Sequence, residues 1–309
     1  MKVYTDLDSL PHFSNAVITT GSFDGVHTGH LLILDQLLKE AEQKGGTAVV
    51  ITFYPHPKHV IFVKGKKAVQ ILNTPAEKYE LLQSKGIKHI VVVPFDNEFS
   101  ELSAHDYIEQ FLVKRFDPAV IVVGYDHRFG NNRSGDFSLL EKSGAEHHFE
   151  VREIPEHVMK NITVSSTKIR EAMLAGDIRT AADYLGYDYF FSGKVIEGNK
   201  LGRSIGYPTA NLEPDDEDKL IPGNGVYAVD AELQGRNLKG MMNIGVRPTV
   251  DGTKRMIEVN LFDFNEDIYG QTLKVTLKHR LRSEVKFAGL DELKAQLARD
   301  KEDAIIINY

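Results

Sequence analysis

The stretch GSFDGVHTGH, Gly21 to His30, follows the apolar run AVITT, Ala16 to Thr20, and runs straight into the helical pattern LLILDQLLKEAEQKG, Leu31 to Gly45. A strand, a glycine-rich turn and a helix in immediate succession form a place where a phosphate can sit. Glycines at 21, 25 and 29 let the backbone turn tightly and approach a ligand. The free N–H groups and the positive end of the helix dipole then favour an anion. His27 and His30, three apart, share one face of the first helical turn. An isolated His-x-x-His reads first as a pair of capping or core residues or as a metal pair, and only second as ligands to phosphate oxygens. The whole decapeptide at a strand-to-helix turn favours the last reading.

Outward from this turn the pattern repeats. The runs TAVVITF (47–53), HIVVVPF (89–95) and AVIVVG (119–124) alternate with the helical segments AEKYELLQSKG (76–86) and AHDYIEQFLVKRF (104–116). Near-continuous apolar strands between amphipathic helices predict a doubly wound, Rossmann-like parallel sheet with both faces covered. Its ligands belong where strands end and helices begin. Three further segments lie at such ends: TFYPHP (52–57), GYDHRFG (124–130) and VSSTKIR (164–170). The last offers Ser165, Ser166 and Thr167 as helix caps, with Lys168 and Arg170 as cations for a triphosphate.

The helical segments STKIREAMLAG and DIRTAADYLG lead into a different texture. Gly198, Gly202, Gly206, Gly223 and Gly225 punctuate alternating strands such as GVYAVDAEL, MIEVNLFDF and LKVTLKHRL. This half predicts a small antiparallel β-barrel closed by an amphipathic helix in which Leu290, Leu293 and Leu297 share a face. The boundary falls near Gly186, giving domains 1–186 and 187–309. The acidic run EPDDEDK (213–219) reads as a solvated loop.

Composition narrows the partners. At 309 residues with 42% apolar content the chain can build two cores. A net charge of −7 argues against nonspecific binding of nucleic acid or anionic membranes, so an anionic ligand must be caught locally. Zero cysteines exclude disulfides, thiolate metal sites and cysteine nucleophiles. No signal-peptide or membrane-length apolar run is present, which makes the cytoplasm the default.

In the second half, GNKLGRSIGYPTAN (198–211) joins a glycine-rich loop and two cations to an extended Pro-Thr-Ala-Asn, without the pattern of a P-loop or a protein kinase. Thr209 and Asn211 point to one side of an extended strand and could together meet a hard cation such as Mg2+. Around MIEVNLFDF, Ile257, Val259 and Leu261 alternate on one face and put Glu258 and Asn260 on the other. By itself such a carboxylate is most often solvent-facing. Here NIGVRPT (243–249) precedes it and LRSEVKF (281–287) follows.

The four N-terminal segments, in order and spacing, resemble the FMN adenylyltransferase domain of bacterial FAD synthases, and the C-terminal set resembles the riboflavin kinase domain of the same enzymes. The resemblance covers almost the whole chain. It implies that riboflavin and ATP give FMN in the second domain, and that FMN and ATP give FAD and pyrophosphate in the first. By similarity, His27 and His30 serve adenylyl transfer. Gly21, Phe23, Asp24, Gly25, Asp126, Asn131, Ser165, Ser166, Thr167 and Arg170 contact its nucleotide, with Phe53, Pro55, His56 and Pro57 on the flavin. In the kinase, Gly198, Lys200, Gly202, Arg203 and Gly206 cover the ATP phosphates, and Thr209 and Asn211 hold Mg2+. Glu258 accepts or orients the 5′-hydroxyl proton, while Asn243 and Arg282 meet riboflavin. The chain departs from the family at His127, where an aromatic residue is usual, and at Asn260, where a histidine is common. The partners implied are riboflavin, FMN and ATP, with no nucleic acid, membrane or obligate protein partner. The rivals are a chain retaining one activity and a noncatalytic flavin-binding protein.

Overall fold

The computed structural model describes residues 1–61, 69–155, 164–198, 202, 205–249 and 252–307. The chain divides into two compact units, Met1–Ser165 and Ser166–Tyr309.

In the first unit, β1 (Lys2–Tyr4), β2 (Ala16–Thr20), β3 (Ala48–Tyr54), β4 (His89–Pro94), β5 (Pro118–Gly124) and β6 (Glu150–Ile154) form one sheet in the order β1-β4-β3-β2-β5-β6. Every pairing is parallel. The central strands are the apolar runs of the sequence, and all five residues of β2 are buried, as a sheet covered on both faces requires. Ile18, Ile51, Val91, Val93, Ile121 and Phe111 lie in one core cluster. The chain leaves β2 for β3 and β4 on one side and returns to β5 on the other. The crevice at the strand ends therefore opens where the loops after β2 and β5 begin, which is the usual ligand position of such sheets.

Two strands have no counterpart in the apolar pattern. Edge strands β1 and β6 are short and carry exposed residues, Lys2 in one and Glu150 in the other, so neither shows a run of buried side chains. The predicted helix over 104–116 is present in three pieces, Ala104–Asp106, a π-helical Tyr107–Val113, and Lys114–Phe116.

In the second unit, the helices Ser166–Ala175 and Ile178–Leu185 precede β7 (Phe190–Ile196), β8 (Ala210–Pro214), β9 (Gly225–Leu233), β10 (Arg236–Thr249), β11 (Gly252–Leu261) and β12 (Thr272–Arg282). These strands close into an antiparallel barrel in the order β10-β11-β8-β7-β12-β9. Alternation decides its interior. Tyr227, Val229, Met242, Ile244, Val259, Val275 and Leu277 are wholly buried. The helix Leu290–Ile307 packs through Leu297, Ala304 and Ile305 on Ala228, Met241 and Phe262. Leu290, at the first position of that helix, is 54% exposed, so the packed face runs through Leu293 and Leu297 without it.

Candidate active sites

Three of the four residues Phe23, Asp24, Gly25 and Val26 have positive φ, at 46°, 89° and 37° for Phe23, Gly25 and Val26. Glycine suits this region, whereas for a phenylalanine and a β-branched valine it is strained. Strain of this kind persists only where the surroundings over-determine the backbone. Asp24, buried to 1% exposure, accepts through Oδ1 from the N–H groups of Leu72 (2.8 Å) and Asn73 (3.4 Å). Lys78, in the helix Pro75–Ser84, donates from Nζ to the Ser22 carbonyl (2.8 Å) and Thr52 Oγ1 (3.3 Å). Gly21 N–H donates to the Ile51 carbonyl at 3.0 Å.

The loop delivers His27 to the N-cap of the helix Thr28–Lys44, where its Nδ1 accepts from the His30 N–H at 3.3 Å. A ring nitrogen that accepts carries no proton, so a neutral His27 holds its hydrogen on Nε2. The His27 and His30 rings stack 3.7 Å apart within 13° of parallel, and Phe23 packs 5.1 Å from His30. Among the described residues, His30 Nδ1 is buried without a hydrogen-bond partner. Burial, with the charges of His27 and Lys78, holds the His30 imidazole well below the ordinary histidine range. Burial likewise pulls the Lys78 ammonium down to about 8 against the opposing pull of Asp24.

After β5, the His127 N–H closes a turn on the Gly124 carbonyl at 3.0 Å. Its ring stacks on Phe129, 5.8 Å away at 29°, and burial lowers its pKa to about 4. A neutral imidazole thus packs here as a flat ring. Phe129 stacks on Tyr107, whose hydroxyl donates to Thr20 Oγ1 at 3.0 Å, linking this loop to the end of β2. Asp126 is exposed, and the Asn131 N–H donates to the Leu102 carbonyl at 2.7 Å. After β3, Phe53 packs on Phe95 and Phe99, the Tyr54–Pro55 peptide is cis, and His56 caps Pro57–Val60 through the Lys58 N–H. Ser165 ends the first unit, while Ser166, Thr167 and Arg170 form the start of Ser166–Ala175 in the second.

The barrel has its own pocket, of about 310 Å³, on the outer face beneath the helix Leu290–Ile307. Asn243, Glu258 and Asn211 are consecutive partners across β10, β11 and β8, so their side chains leave one face side by side. Asn243, Glu258, Asn260, Thr209 and Arg282 line the pocket, with Tyr207, Phe287, Leu293 and Leu297 as its apolar part. Asn260 Nδ2 donates to the Pro208 carbonyl at 2.7 Å and so holds the strand entry that carries Thr209. Gly202 lies flat against this segment: a Cβ there would fall 2.2 Å from the Tyr207 carbonyl oxygen. At Gly198 a Cβ would collide with the Asn211 amide at 2.0 Å. Gly206 has φ of 88°. Lys200 and Arg203 lie outside the described residues.

Arg282 reaches the pocket with its guanidinium already engaged. Nε donates to Asp300 Oδ1 (2.9 Å) and Nη2 to Oδ2 (2.7 Å), Asp300 itself being 1% exposed. Gln296 donates to the same carboxylate at 2.8 Å. Sequence reasoning passed over Lys78 and Asp300. Each is one charge in an amphipathic helix, and nothing in its spacing marks it as turned inward.

The FAD synthetase family model matches residues 10–168 and the riboflavin kinase model residues 185–307. The chain belongs to the bifunctional riboflavin kinase/FMN adenylyltransferase family. Relatives of that name are 39% identical in Escherichia coli strain K12, over 92% of this chain and 90% of the relative, and 36% identical in Bacillus subtilis strain 168, over 94% and 92%. A solved structure described as a macrolide-efflux protein from Streptococcus pneumoniae is 32% identical, covers 97% of both chains and has a TM-score of 0.87. Among the described residues of this family member, no helix is long and apolar enough to cross a membrane.

Proposed function

We propose that the two reactions of the family, phosphorylation of riboflavin to FMN and adenylylation of FMN to FAD with release of pyrophosphate, are carried out by this chain at the two sites described. FMN formation is assigned to the barrel pocket and FAD formation to the Gly21–His30 loop. The observation that carries the reading is the pairing of the His27–His30 stack at a helix N-terminus with a separate pocket lined by Glu258, Asn243 and Thr209. The kinase reaction is assigned to the residues after Gly186, with the riboflavin kinase match starting at 185, although the two compact units divide earlier, between Ser165 and Ser166.

In adenylyl transfer the nucleophile is the FMN phosphate, whose second pKa of about 6 leaves it ionised at neutral pH. No general base is needed. The demand is to hold two anions in line while charge gathers around the α-phosphorus of ATP. The His27 Nε2–H, the neutral His30 ring and the N–H groups of the helix terminus supply preorganised donors from a water-poor wall, where such contacts are strongest.

Riboflavin presents a neutral primary alcohol, so proton transfer matters. The Glu258 carboxylate accepts or orients the 5′-hydroxyl hydrogen, beside Asn243, which positions the flavin. Arg282, clamped by Asp300, offers the flavin the face of its guanidinium, and Leu293 and Leu297 offer an apolar wall. The residues fit Mg2+: among the described residues Asn211 Oδ1 is buried without a hydrogen-bond partner beside Glu258 on the next strand, and Thr209, two residues before it, lines the barrel pocket. These two oxygens would hold the ion, which when bound neutralises phosphate charge. The reading requires no nucleic acid, membrane or obligate protein partner, and its compartment is the cytoplasm, where ATP is at hand. Purified protein given riboflavin, ATP and Mg2+ forms FMN and then FAD on this reading. Chromatographic separation of the flavins over time checks it, and flavin binding without either product would overturn it.

A further inference from the structure

We propose that Lys78 is a positioning residue for adenylyl transfer, acting from behind the Gly21–His30 loop by fixing the direction of the Ser22–Phe23 peptide. The inference rests on the reading of that loop as the nucleotide site. Lys78 is 8% exposed, and its Nζ donates to the Ser22 carbonyl and to Thr52 Oγ1. Thr52 donates to the same carbonyl at 3.2 Å. In a planar trans peptide the carbonyl and the following N–H point in opposite directions. Drawing the Ser22 oxygen inward therefore turns the Phe23 N–H away from Lys78, where a phosphate can meet it.

The neighbouring residue is held in the complementary way. Asp24 accepts from the N–H groups of Leu72 and Asn73, just ahead of the Pro75–Ser84 helix that carries Lys78. One short segment thus grips a carbonyl and a carboxylate on either side of Phe23, across a turn whose φ angles at Phe23 and Val26 are positive. A neutral residue at 78 would leave the Ser22 carbonyl with a hydroxyl alone. The buried ammonium also opposes protonation of His30, on which its charge acts. His30 thereby stays a neutral ring until an anion arrives.

Lys78→Met tests the assignment, with FMN and ATP supplied. The kcat for FAD formation should fall by about tenfold or more while both KM values move by less than about threefold, because a misdirected donor is felt most in the transition state. Riboflavin phosphorylation by the same preparation should hold at the parent rate. A kcat for FAD formation within about twofold of the parent would overturn the proposal. Thr52→Val leaves Lys78 as the side-chain donor to the Ser22 carbonyl and should lower kcat by no more than about threefold. A collapse there would assign the role to the threonine and overturn the proposal even if Lys78→Met failed to fold. His30→Ala is run alongside. If it leaves FAD formation intact, the nucleotide-site reading has failed, whereas loss in His30→Ala with none in Lys78→Met rejects the lysine's role alone.

Discussion

The imidazoles of His27 and His30 stack 3.7 Å apart, and the His30 N–H caps onto His27 Nδ1, so the two rings form one unit fixed to the first turn of a helix. A second cation on that stack is disfavoured by the first, which suits rings that donate hydrogen bonds to an anion as neutral groups. His30→Ala should lower FAD formation by about 10²-fold or more, the scale for losing a preorganised charge-stabilising donor. FMN formation from riboflavin should persist at the parent rate. Assaying both reactions on one preparation checks this, and parallel loss would speak against separate sites.

His127 makes stability depend on pH. An unfolded histidine titrates near 6.5, whereas burial holds His127 at about 4 in the folded chain. Between those values the unfolded state binds more protons, so stability falls as pH falls through that window. The contribution is on the order of 1–3 kcal/mol at the acid end. His30 acts in the same direction. His127→Phe keeps a ring against Phe129 and removes one titration. Its urea midpoint should therefore drop less between pH 7 and pH 4.5 than that of the parent, and an equal drop would refute the assignment.

The buried carboxylate of Asp300 ties Arg282 to the helix Leu290–Ile307, which carries Leu293 and Leu297 into the pocket. Removing one partner leaves an uncompensated charge, at a cost of about 3–5 kcal/mol. Asp300→Leu should lower the melting temperature and raise the KM for riboflavin, with the KM for FMN in adenylyl transfer unchanged. The pair Asp300→Leu with Arg282→Met should recover much of the melting temperature and little of the KM. Calorimetry and steady-state kinetics on the three proteins check this.

Much of this architecture was legible in the sequence, and the exceptions have physical causes. The central strands β2, β3, β4 and β5 announce themselves because burial on both faces demands apolar runs. Edge strands β1 and β6 need no such run and left none. The rung of Asn243, Glu258 and Asn211 is half legible: alternation puts Glu258 opposite Ile257 and Val259, but only the register brings the two asparagines beside it. Lys78 and Asp300 were not legible. Their partners, Ser22 and Arg282, lie 56 and 18 residues away, and only the folded chain shows these charges pointing inward. Asn260 changes meaning as well, from a departure in the motif to the donor that holds the Pro208 carbonyl.

The central claim is that two chemistries use two independent sets of residues on one chain. Its most direct test is FAD formation by Glu258→Gln supplied with FMN and ATP, alongside its FMN formation from riboflavin. The account predicts FAD formation at the parent rate, with FMN formation reduced by about 10²-fold or more, as for loss of a general base. FAD formation falling in step with FMN formation would contradict it.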